Sequence, residues 1–142
     1  MKHYDAAIIL TVSAHVLALA AAIFLALGPA YHGVSVAAVA PGGVAAEPVR
    51  TTSTLIEVNG LRVLPLILAP VLLTALAALA ATVIRADLFW RGPLILALAV
   101  VLLGFCMVGI FSIGLLFLPA AFALIVAGVM GLRRRRYPYR PS

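Results

Sequence analysis

The run from Pro93 to Leu132 holds forty residues without one charge, and Arg133, Arg134, Arg135 and Arg136 follow it directly. At 1.5 Å per residue a single helix of that length reaches about 60 Å, roughly twice the hydrocarbon thickness of a bilayer. One straight span is therefore the wrong reading. The run is expected to cross a membrane, turn near Ser112 to Pro119, and cross back. Composition points the same way. The sequence is 65% hydrophobic and 10% charged, against about 45–50% apolar and about 25% charged in soluble domains. So little charge cannot keep a chain this apolar in water. Lipid is the expected solvent.

Two more spans precede that run. Ala6 to Leu27 is 22 residues without Asp, Glu, Lys or Arg, long enough to cross. A cleaved signal peptide has an apolar core of about 7–15 residues, shorter than this one. Pro29 also sits just after the point where a cut behind Gly28 would fall. We read a retained helix, stopped by Gly28-Pro29. Leu61 to Ile84 reads as the second span, with Pro65 in its first turn and Pro70 deeper, where a kink serves shape. The expected fold is an all-α integral membrane protein. It is one domain over 1–142, a four-transmembrane-helix antiparallel bundle with spans at about 6–28, 62–84, 93–112 and 115–132.

The 33 residues from Pro29 to Leu61 form the one sizeable segment outside the bilayer. Pro41-Gly42-Gly43 is a turn signal. From Arg50 to Val58 the β-branched residues read as a strand that ends on the turn dipeptide Asn59-Gly60. Val34 to Val39 can pair with it as a small β-hairpin. A flexible loop is the alternative. Arg85 to Gly92 reads as a short connection. In it Trp90, with Phe89, stands between two arginines as an anchor at headgroup level.

Orientation follows the basic residues near the spans. With the N-terminus inside, Lys2, Arg85, Arg91, Arg133 to Arg136 and Arg140 make eight on the cytoplasmic side, and Arg50 and Arg62 make two outside. Both termini are expected in the cytoplasm of a multi-pass cell-membrane protein. The outer loop then faces the other side. Arginine outnumbers lysine nine to one, which we read as a GC-rich bacterial genome and hence an inner membrane. The arginine tail, residues 133–142, is expected on anionic lipid headgroups. Nucleic acid is not an expected partner, since no folded domain accompanies the arginines.

Chemistry has few carriers. His15 is the one ionisable residue within a span core, and such residues are functional candidates by default. Thr74 is expected at similar depth on the second span, and Thr11 lies one turn from His15 on the first. This intramembrane polar site reads either as a proton-linked or ligand site, or as a neutral histidine bonded to Thr74 that fixes one helix on the other. We prefer the second. His3, His15 and His32 lie at three depths, and Cys106 lies two-thirds of the way along the third span. No metal, haem or other cofactor is expected. Asp5, Glu47, Glu57 and Asp87 form no pair with a base or nucleophile, so no catalytic residue is assigned and no enzyme is expected. Gly104, Gly109 and Gly114 recur every five residues, and Gly128 and Gly131 stand three apart. Neither spacing reads as a GxxxG seam. Ala18, Ala21, Ala22 and Ala26, and on the second span Ala75, Ala77, Ala78, Ala80 and Ala81, are expected to let helices approach closely.

The size and span count resemble the small multidrug-resistance exporters in architecture. Those rely on a membrane-embedded glutamate in their first helix, where this chain has His15, and the long outer loop departs from their pattern. The function expected from the sequence is therefore a non-enzymatic scaffold or accessory membrane protein. It would contact other membrane components through the outer loop or the bundle surface. The alternative is a homo-oligomeric small transporter or channel with His15 in its pathway.

Overall fold

The computed structural model describes residues 5–35, 49–84, 89–109 and 113–133. Its elements run α1 (Ala6–Leu27), β1 (Pro29–Ser35), β2 (Val49–Thr54), α2 (Leu55–Asn59), a 3-10 turn at Gly60–Val63, α3 (Leu64–Val83), α4 (Arg91–Val108), a second 3-10 turn at Gly114–Phe117 and α5 (Leu118–Arg133). Among the described residues four helical stretches are long and apolar enough to cross a membrane: Ala6–Leu27, Leu55–Val83, Arg91–Val108 and Gly114–Arg133.

α1 packs on α3 and α5, and α4 packs on α5 and α3, while α3 and α5 barely touch. The four long helices therefore stand in a ring, with α1 diagonal to α4. Small residues face inward. Ala7, Thr11, Ala14, Ala18, Ala21 and Ala22 are buried on α1, and Ala77, Ala80 and Ala81 on α3. The large side chains face out: Ile9, Val16 and Ile23 on α1, Leu72, Leu76 and Leu79 on α3, and Val100 and Met107 on α4 are all exposed. Soluble proteins bury such side chains and expose polar ones. Here the inside is lined with alanine, and the outside presents the leucine, valine and isoleucine that a lipid-facing surface takes. The larger core side chains, Leu102, Phe117 and Leu124, fill the ring between α4 and α5. Phe117 meets Phe105 edge to face at 6.2 Å.

α4 and α5 touch through glycines. A Cβ on Gly92 would lie 3.1 Å from the Gly131 carbonyl carbon, and one on Gly128 would lie 3.0 Å from Leu96 Cα. This corrects the sequence reading. Gly128 and Gly131, three residues apart, do share a face and line a close contact, with Gly92 opposite. Gly104, by contrast, has nothing within 4 Å of a Cβ.

The segment between the first and second long helices folds as a hairpin, but not over the expected residues. β1 and β2 pair antiparallel, with Tyr31 opposite Ser53, Gly33 opposite Thr51 and Val34 opposite Arg50, and the register shifts between Pro29 and Tyr31. Val36 to Val39 and the Pro41-Gly42-Gly43 turn lie outside the described residues. The strand expected to run to Val58 stops at Thr54. There a capping box takes over: Glu57 N–H donates to Thr54 Oγ1 at 3.2 Å, and Thr54 N–H donates to Glu57 Oε2 at 2.7 Å. Two orphan donors are satisfied reciprocally, which starts a helix. Asn59-Gly60 is accordingly the end of that helix rather than a strand turn. Gly60 has φ +65°, a conformation a side chain would strain. The helical region thus begins at Leu55 rather than Leu61. Leu55 and Val63 are buried in the same cluster as Leu25 of α1, so the hairpin is tied to the bundle. Thr54→Ala removes one half of the box and is expected to cost about 1 kcal/mol locally. Amide exchange over residues 55–59 should speed up about fivefold. Unchanged exchange would mean that packing alone holds the turn.

Two further boundaries differ. α4 begins at Arg91 rather than Pro93, because proline is accepted in a helix's first turn without ending it. It ends at Val108, where Gly109 N–H donates to Phe105 O at 3.0 Å. Gly114 N–H then donates to Gly109 O at 2.8 Å, closing the turn; Ser112 lies outside the described residues. Gly114 is confined there, since a Cβ would strike the Cys106 carbonyl oxygen.

Candidate functional site

His15 and Thr74 meet. His15 is half-buried on α1, and its Nδ1 lies 3.1 Å from Thr74 Oγ1 on α3. Thr74 is fully buried. Its hydroxyl also lies 3.0 Å from the Pro70 carbonyl and 2.9 Å from that of Val71. A carbonyl only accepts, and a hydroxyl carries one hydrogen. The assignment that leaves no donor unused has the Thr74 hydroxyl donating to its own helix and accepting from Nδ1–H. Thr11 behaves differently. Its hydroxyl donates to the Ala7 and Ile8 carbonyls of its own helix, at 2.9 and 3.0 Å. The fold therefore assembles a pair, His15 with Thr74, across the α1–α3 contact, with Ala14, Ala18 and Ala77 buried in the core there. One imidazole and one hydroxyl thus meet across two helices, with no carboxylate bonded to either among the described residues. His15→Ala is expected to lower stability by about 0.6–1.7 kcal/mol, the range for such ties in a membrane. Unfolding in mixed detergent micelles reads the change. A stability equal to wild type, with transport or binding lost, would make His15 functional instead.

The second polar pair was not anticipated. Arg91 read as a surface residue of a loop. Instead it is the first residue of α4 and only 6% exposed. Its Nη1 donates to Asp5 Oδ2 at 2.7 Å. Asp5 caps α1, its Oδ1 accepting from Ala7 N–H at 3.1 Å. The carboxylate sits where the helix dipole favours negative charge. The pair joins the starts of α1 and α4, the two helices that face each other across the ring. Beneath it Ala81, Ile95 and Ala127 form a small cluster with Ile8 and Leu10. Arg91 Nε and Nη2 are also buried, with no hydrogen-bond partner among the described residues. Unmatched buried donors cost about 1–3 kcal/mol each, so this arginine is held at some expense. A sequence signal did exist. Asp5 directly precedes an apolar run as an N-cap does, and the charge count brings it to the same membrane side as Arg91.

The other candidates lie at the surface. Trp90 and Phe89 are exposed just before α4, edge to face at 5.5 Å. Arg133 is exposed at the end of α5; Arg134, Arg135 and Arg136 lie outside the described residues. Among the described residues no three His, Cys, Asp or Glu side chains gather as a metal site. On the hairpin, His32, Thr51 and Thr52 are exposed, and Asn59 Nδ2 donates to the Tyr31 hydroxyl at 3.3 Å. Between hairpin and bundle lies a recess of about 380 Å³, lined by Phe24, Tyr31, Leu55, Ile113 and Leu116. Comparison with known protein families, curated proteins and solved structures finds no match to this chain.

Proposed function

We propose that this chain is a multi-pass membrane protein of scaffold or accessory type. Both termini are cytoplasmic, and the hairpin stands on the opposite face to meet another membrane component. The cell membrane of a bacterium is its setting, and the arginine tail lies on anionic headgroups. One observation carries the reading: the ring of helices is filled. Ala14, Ala18, Thr74, Ala77, Ala99, Leu102, Cys106, Phe117, Ala121 and Leu124 each have no exposed surface. A filled ring leaves the outside of the bundle and the hairpin as the surfaces for function. The charge count supports the orientation, and the outward leucine, valine and isoleucine support insertion. The tie between hairpin and helices supports a surface held in a fixed attitude.

The transporter reading needs a pathway between copies. His15, which already serves Thr74, would then have to change partners during transport. A photo-crosslinker at Thr52, on the hairpin, separates the two readings. The scaffold reading expects a heteromeric adduct at that position in native membranes. The transporter reading expects only self-adducts, and proton or solute movement by purified protein in liposomes. The second pair of results would reject the scaffold.

A further inference from the structure

β2 leaves one side of the hairpin open. The sheet has two strands, so each strand has one paired edge and one free edge among the described residues. The two free edges differ. β1 is interrupted: Pro29 has no N–H, and the register shift between Pro29 and Tyr31 leaves Ala30 with no residue opposite. Proline and bulges are the devices that blunt a sheet edge. β2, Val49–Thr54, has neither. Its Arg50, Thr51 and Thr52 are exposed, as are His32, Gly33 and Val34 across the ladder. None of these six is buried, and a free two-stranded ladder is marginal in water. A third strand along β2 supplies what the ladder lacks.

Charge selects the kind of strand. Alternate residues share a face, and Val34 stands opposite Arg50 as His32 stands opposite Thr52. Arg50 is the one Lys, Arg, Asp or Glu on these two strands, and it makes no ion pair among the described residues. The described carboxylates are already engaged. Glu57 Oε2 accepts from Thr54 N–H. Asp5 holds Arg91 at the start of α1, a helix of 22 residues, so about 33 Å of helix separates it from the hairpin. A second copy would bring another Arg50 and no carboxylate on its β2. We propose that β2 receives an extended acidic segment of a partner protein as a third strand. Asp or Glu of that segment lies opposite Arg50, and a β-branched residue two positions along lies opposite Thr52. The free backbone edge gives the affinity, and the opposed charges fix the register. The inference rests on the scaffold reading and names how its partner is held.

The test uses the full chain in phosphatidylcholine nanodiscs and a labelled synthetic peptide, Thr-Val-Glu-Val-Thr, at up to millimolar concentration. Fluorescence anisotropy reads binding, and amide exchange reads where it occurs. The peptide is expected to bind and to slow exchange in β2 more than in β1. The same peptide with Lys in place of Glu should bind about tenfold more weakly. Arg50→Glu should reverse that preference, while Arg62→Glu, on the neighbouring 3-10 turn, should leave it unchanged. A peptide methylated at alternate backbone nitrogens should not bind. No binding by the Glu peptide would overturn the proposal, as would equal binding of the methylated or the Lys peptide. Slowed exchange in β2 without peptide, in discs holding two chains and not in discs holding one, would give the edge to a second copy and overturn it too. The crosslink at Thr52 keeps the two readings apart. A heteromeric adduct without peptide selectivity retains the scaffold and removes strand addition; selective peptide binding without such an adduct does the reverse.

Discussion

Asp5→Ala is expected to destabilise the bundle by about 3–5 kcal/mol, the range for stranding one partner of a buried ion pair. Asp5 is a single side chain at the edge of an apolar helix, and its loss would ordinarily cost about 1 kcal/mol as a cap. The larger figure arises because Arg91 cannot follow it into water. The arginine side chain is 8% exposed and has two further donors without partners among the described residues. With the carboxylate gone, the positive charge stays buried and uncompensated. Replacing both residues, Asp5→Leu with Arg91→Met, should recover most of the loss, because similar-sized apolar side chains need no pairing. Reversible unfolding in mixed detergent micelles measures all three proteins. A loss near 1 kcal/mol for Asp5→Ala, with no recovery in the double variant, would reduce the pair to a helix cap.

Gly128→Val is the other large effect. A single methyl at this position already stands 3.0 Å from the backbone and Cβ of Leu96, and a backbone has no rotamer into which to retreat. Over-filling a packed contact costs about 1–3 kcal/mol, occasionally more. Valine adds two carbons beyond that first methyl, so the upper end is expected, with α5 pushed away from α4. Gly104→Ala is the matched control. Its Cβ meets nothing within 4 Å, and alanine is the better helix former by about 1 kcal/mol. The same unfolding assay should therefore show opposite signs at two glycines of one helix pair. Equal effects would mean that propensity, and not contact, governs both.

Which parts of this fold can be read from sequence depends on the physics that writes each part. The number of long apolar helices is plain, because charge and turn residues interrupt the apolar runs, whereas their ends at Leu55 and Val108 are not. The inward alanines of α1 are legible for a related reason: only small residues allow close approach. Helix faces are otherwise hard to read. Apolar residues occupy every side of these helices, so periodicity cannot tell core from lipid. That is why Gly128 and Gly131 gave no seam. Their partner, Gly92, lies on another helix, and the crossing point is set by packing. The strand end at Thr54 failed for a different reason. β-branched residues favour extended chain, but Thr54-Leu55-Ile56-Glu57 carries a capping signature that overrides the preference for four residues. At the candidate site, the likeness of depth between His15 and Thr74 anticipated the 3.1 Å contact. Arg91 was hidden by its neighbours, since an arginine beside Trp90 and ahead of a proline looks like a loop.

The pair between Asp5 and Arg91 also bears on how the chain is made. On the multi-pass reading the helices enter the membrane in order as synthesis proceeds. Asp5 and Arg91 are 86 residues apart, which at about 5–20 residues per second separates their synthesis by about 4–17 s. His15 and Thr74 are 59 apart, so the tie between α1 and α3 can form first. Through that interval the first helix must keep its aspartate at the wet surface, with its place in the bundle set by α3 alone. The third helix of the ring arrives with its arginine already needing a partner. A clasp that closes only between the first and a much later helix marks the moment when the ring is whole, and a chain halted before Arg91 has no means of fastening it.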